Sequence, residues 1–188
     1  MSIQLDKVQP KNKKRLKSLI EYAFNHNIYD LNFIDTSEIT NMSWLFEDVK
    51  HNFDISNWDV SNVTNMSAMF YCCVNFNCNL SNWNVSNVVN MYCTFDYCKN
   101  FIGKGLENWN VSNVINITGM FAGCEKFDCD LSNWDVSNVI DMKFTFNYCL
   151  NFKGKGLENW DVSNIHAMYC VFKNCVNLTI PSWYKSNT

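Results

Sequence analysis

Tryptophan recurs along this chain at an almost constant interval. Trp58, Trp83, Trp109, Trp134, Trp160 and Trp183 stand 25, 26, 25, 26 and 23 residues apart, and Ile34 holds the same place in an earlier, degraded copy. A fixed period of roughly 20 to 50 residues marks a solenoid, in which no unit buries its own apolar face and each does so against its neighbours. The 188 residues are therefore expected to share one elongated core.

Each copy reads in two halves. In Leu80 to Val85 the large residues Leu80, Trp83 and Val85 suit a short parallel strand, repeated as Ile55/Trp58/Val60, Leu106/Trp109/Val111, Leu131/Trp134/Val136 and Leu157/Trp160/Val162. Asn57, Asp59 and Ser61, and their equivalents as far as Asp161 and Ser163, are expected to project outward from those strands. In the second half Met66, Met69, Phe70 and Cys73 fall at i, i+3, i+4 and i+7, the spacing of a two-turn helix with one apolar stripe. An aromatic column, Phe76, Phe101, Phe127 and Phe152, closes the return.

Ahead of the repeats, Leu16, Leu19, Ile20, Ala23, Phe24 and Ile28 fall at helical spacing. Residues 12–25 read as an amphipathic helix that caps the first exposed rung. The expected division is an N-terminal segment with its capping helix over 1–30 and about six repeats of 23–26 residues over 31–188, with residues 1–10 loose or forming a short edge segment. Phe76-Asn-Cys-Asn-Leu matches Phe127-Asp-Cys-Asp-Leu, and Phe101-Ile-Gly-Lys-Gly matches Phe152-Lys-Gly-Lys-Gly, each pair 51 residues apart. This points to duplication of a two-repeat block, with Gly103, Gly105, Gly154 and Gly156 absorbing the extra residue at positive φ.

Charge and composition narrow the function classes. Net charge is −3, but residues 1–17 are basic and the remainder sums to about −8, a poor partner for nucleic acid. The first residues hold no apolar run and the chain no stretch long enough to span a bilayer, so a cytoplasmic location without membrane insertion is expected. In that compartment the ten cysteines are expected to be reduced thiols.

Written out in columns, the motif NWDVSNVTNMSxMFxxC resembles the repeat of the BspA-like leucine-rich repeat proteins, a family of bacterial surface proteins and mycoplasma lipoproteins. The run from Cys175 to Pro181 is similar to the register of the Treponema-type leucine-rich repeat. The likeness covers residues 25–182. It implies an α/β fold, a right-handed leucine-rich-repeat-like solenoid with a short parallel strand and a short helix per repeat. By analogy it also implies adhesion or protein binding, and surface display.

Chemistry is sparse. The cysteine column Cys73, Cys98, Cys124, Cys149 and Cys175 contains no CxxC, and His26, His51 and His166 are scattered, so no metal or cofactor is expected. His166 precedes Cys170 by four residues, a spacing that on a helix would join them and keeps a thiol-dependent enzyme as the alternative; an inert structural spacer is a third reading. The expected function is a non-catalytic scaffold for an unknown protein ligand. Its contact residues are read as the aromatic side chains Trp44, Tyr97, Phe144 and Tyr148 at variable positions, and Asp59, Asp135 and Asp161 on the strand face. The short C-terminus leaves an open edge, so a homodimer through residues 178–185 is a further expectation.

Overall fold

The computed structural model describes residues 7–185. Residues 1–6 of the expected loose N-terminal segment and the last three residues of the chain lie outside the described residues.

One helix, α1, spans Lys13–Asn25, and the side chain of Asn12 caps it by accepting the Arg15 N–H at 3.0 Å. Its apolar stripe, Leu16, Ile20 and Ala23, is buried. The Phe24 ring lies 6.4 Å from Phe46 and meets His51 edge-on at 4.4 Å, while the Lys13 ammonium donates to the Ser43 hydroxyl at 2.8 Å. α1 therefore lies along residues 43–51 and closes the first repeat.

The repeats correct the expected architecture. Among the described residues there is no further α-helix and no strand, only two short 3-10 turns, Leu106–Asn108 and Leu157–Asn159, and isolated parallel bridges: Val8 with Ile34, Asp30 with Asp54, and a series through Asn41, Asn65, Asn90, Asn116, Asp141 and Ala167. An α/β solenoid with a strand and a helix per repeat is not formed. Two local causes can be read from the backbone.

In the half expected to be strand, Asn and Asp side chains take the N–H groups a ladder needs. Asp59 accepts from Ser61 N, Asn84 from Ser86 N and Asn110 from Ser112 N, at 2.9 to 3.1 Å. Further N–H groups turn back three residues, as Trp58 N to Ile55 O and Val63 N to Val60 O.

In the half expected to be helix, positive φ recurs every fourth residue: Ala68 and Cys72, Cys93 and Tyr97, Gly119 and Gly123, Phe144 and Tyr148. A left-handed residue ends a right-handed helix. The N–H groups of Met42, Trp44, Phe46 and Asp48 donate instead to the carbonyls of Asn65, Ser67, Met69 and Tyr71 in the next repeat, at 2.9 to 3.0 Å. Tight turns at this pace bury one residue in every three or four, so they leave the same apolar stripe in the sequence as a helix does.

Stacked turns of chain, here called coils, nevertheless share one interior. Phe46, Phe70, Phe95, Phe121, Phe146 and Phe172 form a column with centroids 5.2 to 5.8 Å apart. Trp58, Trp83, Trp109, Trp134 and Trp160 are buried beside it. Trp83 and Trp109 lie parallel at 6.3 Å, Trp134 and Trp160 at 6.4 Å. Each indole N–H donates to a carbonyl of the preceding coil, as Trp58 to Leu31 O at 3.0 Å and Trp134 to Leu106 O at 2.8 Å, which satisfies the polar tip inside an apolar core.

A third column serves the surface. The amides of Asn62, Asn87, Asn113, Asn138 and Asn164 donate to the carbonyls of Ser37, Ser61, Ser86, Ser112 and Ser137. Where the repeat lengthens to 26 residues, Gly105 adopts φ 100° with its Cα against the preceding coil, and a Cβ there would lie 2.2 Å from Ser81 N.

Candidate binding face

The left-handed positions make two columns on one side of the stack: Trp44, Ala68, Cys93, Gly119, Phe144 and Cys170, and beside it Asp48, Cys72, Tyr97, Gly123, Tyr148 and Asn174. The backbone between them is held by the coil-to-coil bonds described above; Ala68 and Cys93 are buried, while the larger side chains of the columns reach the surface. Trp44, Tyr97 and Tyr148 are 43%, 50% and 53% exposed, and Phe144 is half-buried. Glycine, free of the left-handed penalty, occupies both columns in a single repeat. Aromatic side chains elsewhere hold the same backbone at a cost of about 1 to 2 kcal/mol each.

Four of the sequence-predicted residues thus lie on one face. Trp44 contacts Tyr71 with centroids 5.8 Å apart, and Phe144 meets Tyr169 edge-on at 4.8 Å. Tyr97 and Tyr148 flank a cleft of ≈ 350 Å³ whose floor is Ala122, Gly123 and Asn147 and whose rim is the Lys99–Glu125 ion pair at 2.9 Å. The Tyr97 ring leans over Gly123, where a Cβ would come within 3.1 Å of it. The Asn147 Oδ1 on the floor has no hydrogen-bond partner.

Asp59, Asp135 and Asp161 belong to a different column and line none of this cleft. Each accepts the N–H of the serine two residues on. Hydrogen bonds from the Ser137 hydroxyl and N–H hold the Asp135 carboxyl below its ordinary value, and the same pair of bonds from Ser163, backbone first, does so for Asp161. The structure gives these carboxylates a turn-forming duty and does not join them to the aromatic group.

Sequence reasoning missed Gly123, Asn147 and the Lys99–Glu125 rim. It also missed Asp96, which is buried beside Cys93 with Oδ1 unpartnered, its carboxyl pushed up to about 6 by burial. A signal was present: in Ile117-Thr-Gly-Met-Phe-Ala-Gly-Cys124 glycines fall four apart inside a supposed helix, in slots that hold Cys93 and Tyr97 one repeat earlier.

The thiols of the buried column are packed into the core. Cys73, Cys98, Cys124 and Cys149 donate to the carbonyls of Phe46, Phe70, Phe95 and Phe121 at 2.8 to 3.0 Å. Burial pushes Cys73 up to about 12 and Cys98, Cys124 and Cys149 well above the ordinary thiol value. All ten cysteines are unbridged. His166 and Cys170 share no helix and no hydrogen bond joins them; the exposed His166 gives its backbone N–H to Ile140 O. Among the described residues no three candidate metal ligands converge, and no helix is long and apolar enough to cross a membrane.

A family model described as "Mycoplasma protein of unknown function, DUF285" matches residues 14–104 and again residues 95–188. No curated protein and no solved structure matches.

Proposed function

We propose, from the premise that the chain belongs to the mycoplasma family DUF285, that it is a non-catalytic scaffold that binds another protein through its left-handed columns. The observation that carries this reading is the placing of exposed aromatic side chains where glycine costs less. Trp44, Tyr97, Phe144 and Tyr148 all sit at φ between 55° and 60°, and stability alone favours the glycine found in their columns at Gly119 and Gly123. Aromatic side chains are over-represented among residues that dominate contact energy, because they offer large area for little lost rotamer freedom. The likeness of the repeat to BspA-like proteins supports an adhesive or interaction role and is silent on the partner.

The test is capture from the native cell with the intact chain as bait, followed by mass spectrometry and then by a binding curve for each protein retained. Replacing Trp44, Tyr97 and Tyr148 together by glycine is expected to leave the unfolding midpoint unchanged or higher while weakening the genuine partner by at least tenfold. A partner indifferent to that triple variant, or a variant that unfolds in place of losing affinity, refutes the assignment. A thiol enzyme is the alternative: it predicts an activity that is lost on Cys170→Ala or His166→Ala, whereas this reading predicts no such activity.

A further inference from the structure

Two ends of the coil-to-coil ladder differ in kind. Within the stack alternate N–H groups on this side of one coil meet carbonyls of the next: Met142, Phe144, Phe146 and Tyr148 donate to Ala167, Tyr169, Val171 and Lys173 at 2.9 to 3.2 Å. The last coil repeats the same backbone, with Cys170 and Asn174 left-handed at φ 55° and 63°. Its N–H groups at Met168, Cys170, Phe172 and Asn174 therefore point the same way, out of the stack, and among the described residues no acceptor meets them. These four donors lie at alternate residues and face one way, and backbone N–H groups aimed together favour negative charge.

Side chains reinforce the polarity. A hollow of ≈ 270 Å³ at this end is lined by Met168, Tyr169, Cys170, Trp183, Tyr184 and Lys185. Its lining holds a lysine and no carboxylate, and Lys173 is exposed on the same coil. Neither lysine is in an ion pair among the described residues, whereas Lys99, Lys143, Lys153 and Lys155 are paired. Trp183 stacks on Trp160 at 6.4 Å and Tyr184 meets Phe172 edge-on, so the tail supplies the apolar half of a next coil, and among the described residues none of its carbonyls meets these donors.

We infer that the C-terminal edge is a docking site for an acidic peptide segment, whose carboxylates are received by the N–H groups of Met168, Cys170, Phe172 and Asn174 and by Lys173 and Lys185. A second copy of the chain is a poor occupant. Two-fold pairing through this edge sets donors against donors, and the carbonyl-bearing end of the ladder, residues 42–48, lies beneath α1. Capture of carboxylates by backbone donor arrays is an established mode of peptide recognition.

The experiment is a titration of the full-length, 15N-labelled protein with hexaglutamate, followed by amide chemical shifts. The four edge amides are expected to move together and saturably, while their inner equivalents at Met142, Phe144, Phe146 and Tyr148 stay still. Lys173→Glu with Lys185→Glu, both at exposed positions, is expected to weaken the effect about tenfold. Three outcomes overturn the inference: shifts confined to the basic residues 11–17, equal shifts with inorganic phosphate alone at the same concentration, or edge shifts that follow protein concentration with a doubling of mass by light scattering.

Discussion

Asp96→Asn is expected to stabilise the protein in a manner that depends on pH. Among the described residues Asp96 is the one carboxylate classed with the core; one oxygen has no partner, and the other faces Cys93 and the Tyr97 N–H. Burial raises its folded value to about 6, against an ordinary 3.8 in the unfolded chain. Below pH 3.8 the group is protonated in both states and costs nothing. As pH rises through that value the unfolded chain sheds its proton first, and the folded state loses stability until the folded value is passed. The ceiling is about 2 pH units at 1.36 kcal/mol each, or ~3 kcal/mol. An amide has no such charge to desolvate. The variant should therefore match the parent near pH 4 and exceed it by ~2 to 3 kcal/mol at pH 8. Urea unfolding followed by tryptophan fluorescence at several pH values between those limits measures the difference, and the shared titration of every other carboxylate cancels from it. A difference that is constant with pH, or a variant weakened at pH 8, refutes the reasoning.

Three further outcomes are expected. Trp109→Ala removes a stacked indole and leaves Leu80 O without that donor, so it should cost about 3 to 5 kcal/mol, and the half-exposed Trp183 distinctly less, as read from urea midpoints. Gly105→Ala places a Cβ 2.2 Å from Ser81 N at φ 100°; the clash is with backbone, so a loss of about 3 kcal/mol or more is expected, visible as a fall in the thermal midpoint. Iodoacetamide on the native protein should label the half-buried Cys72 and Cys170 first and reach Cys98, Cys124 and Cys149 only after denaturant is added, with peptide mass spectrometry reading the order.

The interior was legible because it is periodic. Columns of Trp, Phe and Cys were predicted to stack, and the ring-to-ring distances and thiol bonds show them doing so. The helix, read over residues 12–25 and found over Lys13–Asn25, was legible for the same reason. The strands and helices assigned to each repeat were wrong because spacing reports which residues are buried and is mute on φ. Met66, Met69, Phe70 and Cys73 satisfy a helical stripe, but Ala68 and Cys72 carry φ of 51° and 58° between them. Nothing in an alanine or a cysteine announces a left-handed backbone; only the paired glycines of one repeat did. Asp59, Asp135 and Asp161 each close a local turn onto a serine N–H, a duty that the sequence did not announce beside the contact role read for them.

The alternation of 25- and 26-residue coils governs how such a chain lengthens or shrinks. The glycine loop at Gly105 recurs 51 residues on at Gly156 with nearly the same φ, and the tryptophan, phenylalanine and thiol columns continue across that span. Recombination that excises or inserts one such span rejoins like to like, with rings, thiols and turn amides meeting their usual counterparts. A change of half that size brings a glycine loop against a coil that lacks the matching recess. A change in steps of two coils thus keeps the matching of neighbours, so the reach of the molecule can lengthen or shorten while the packing between coils stays the same.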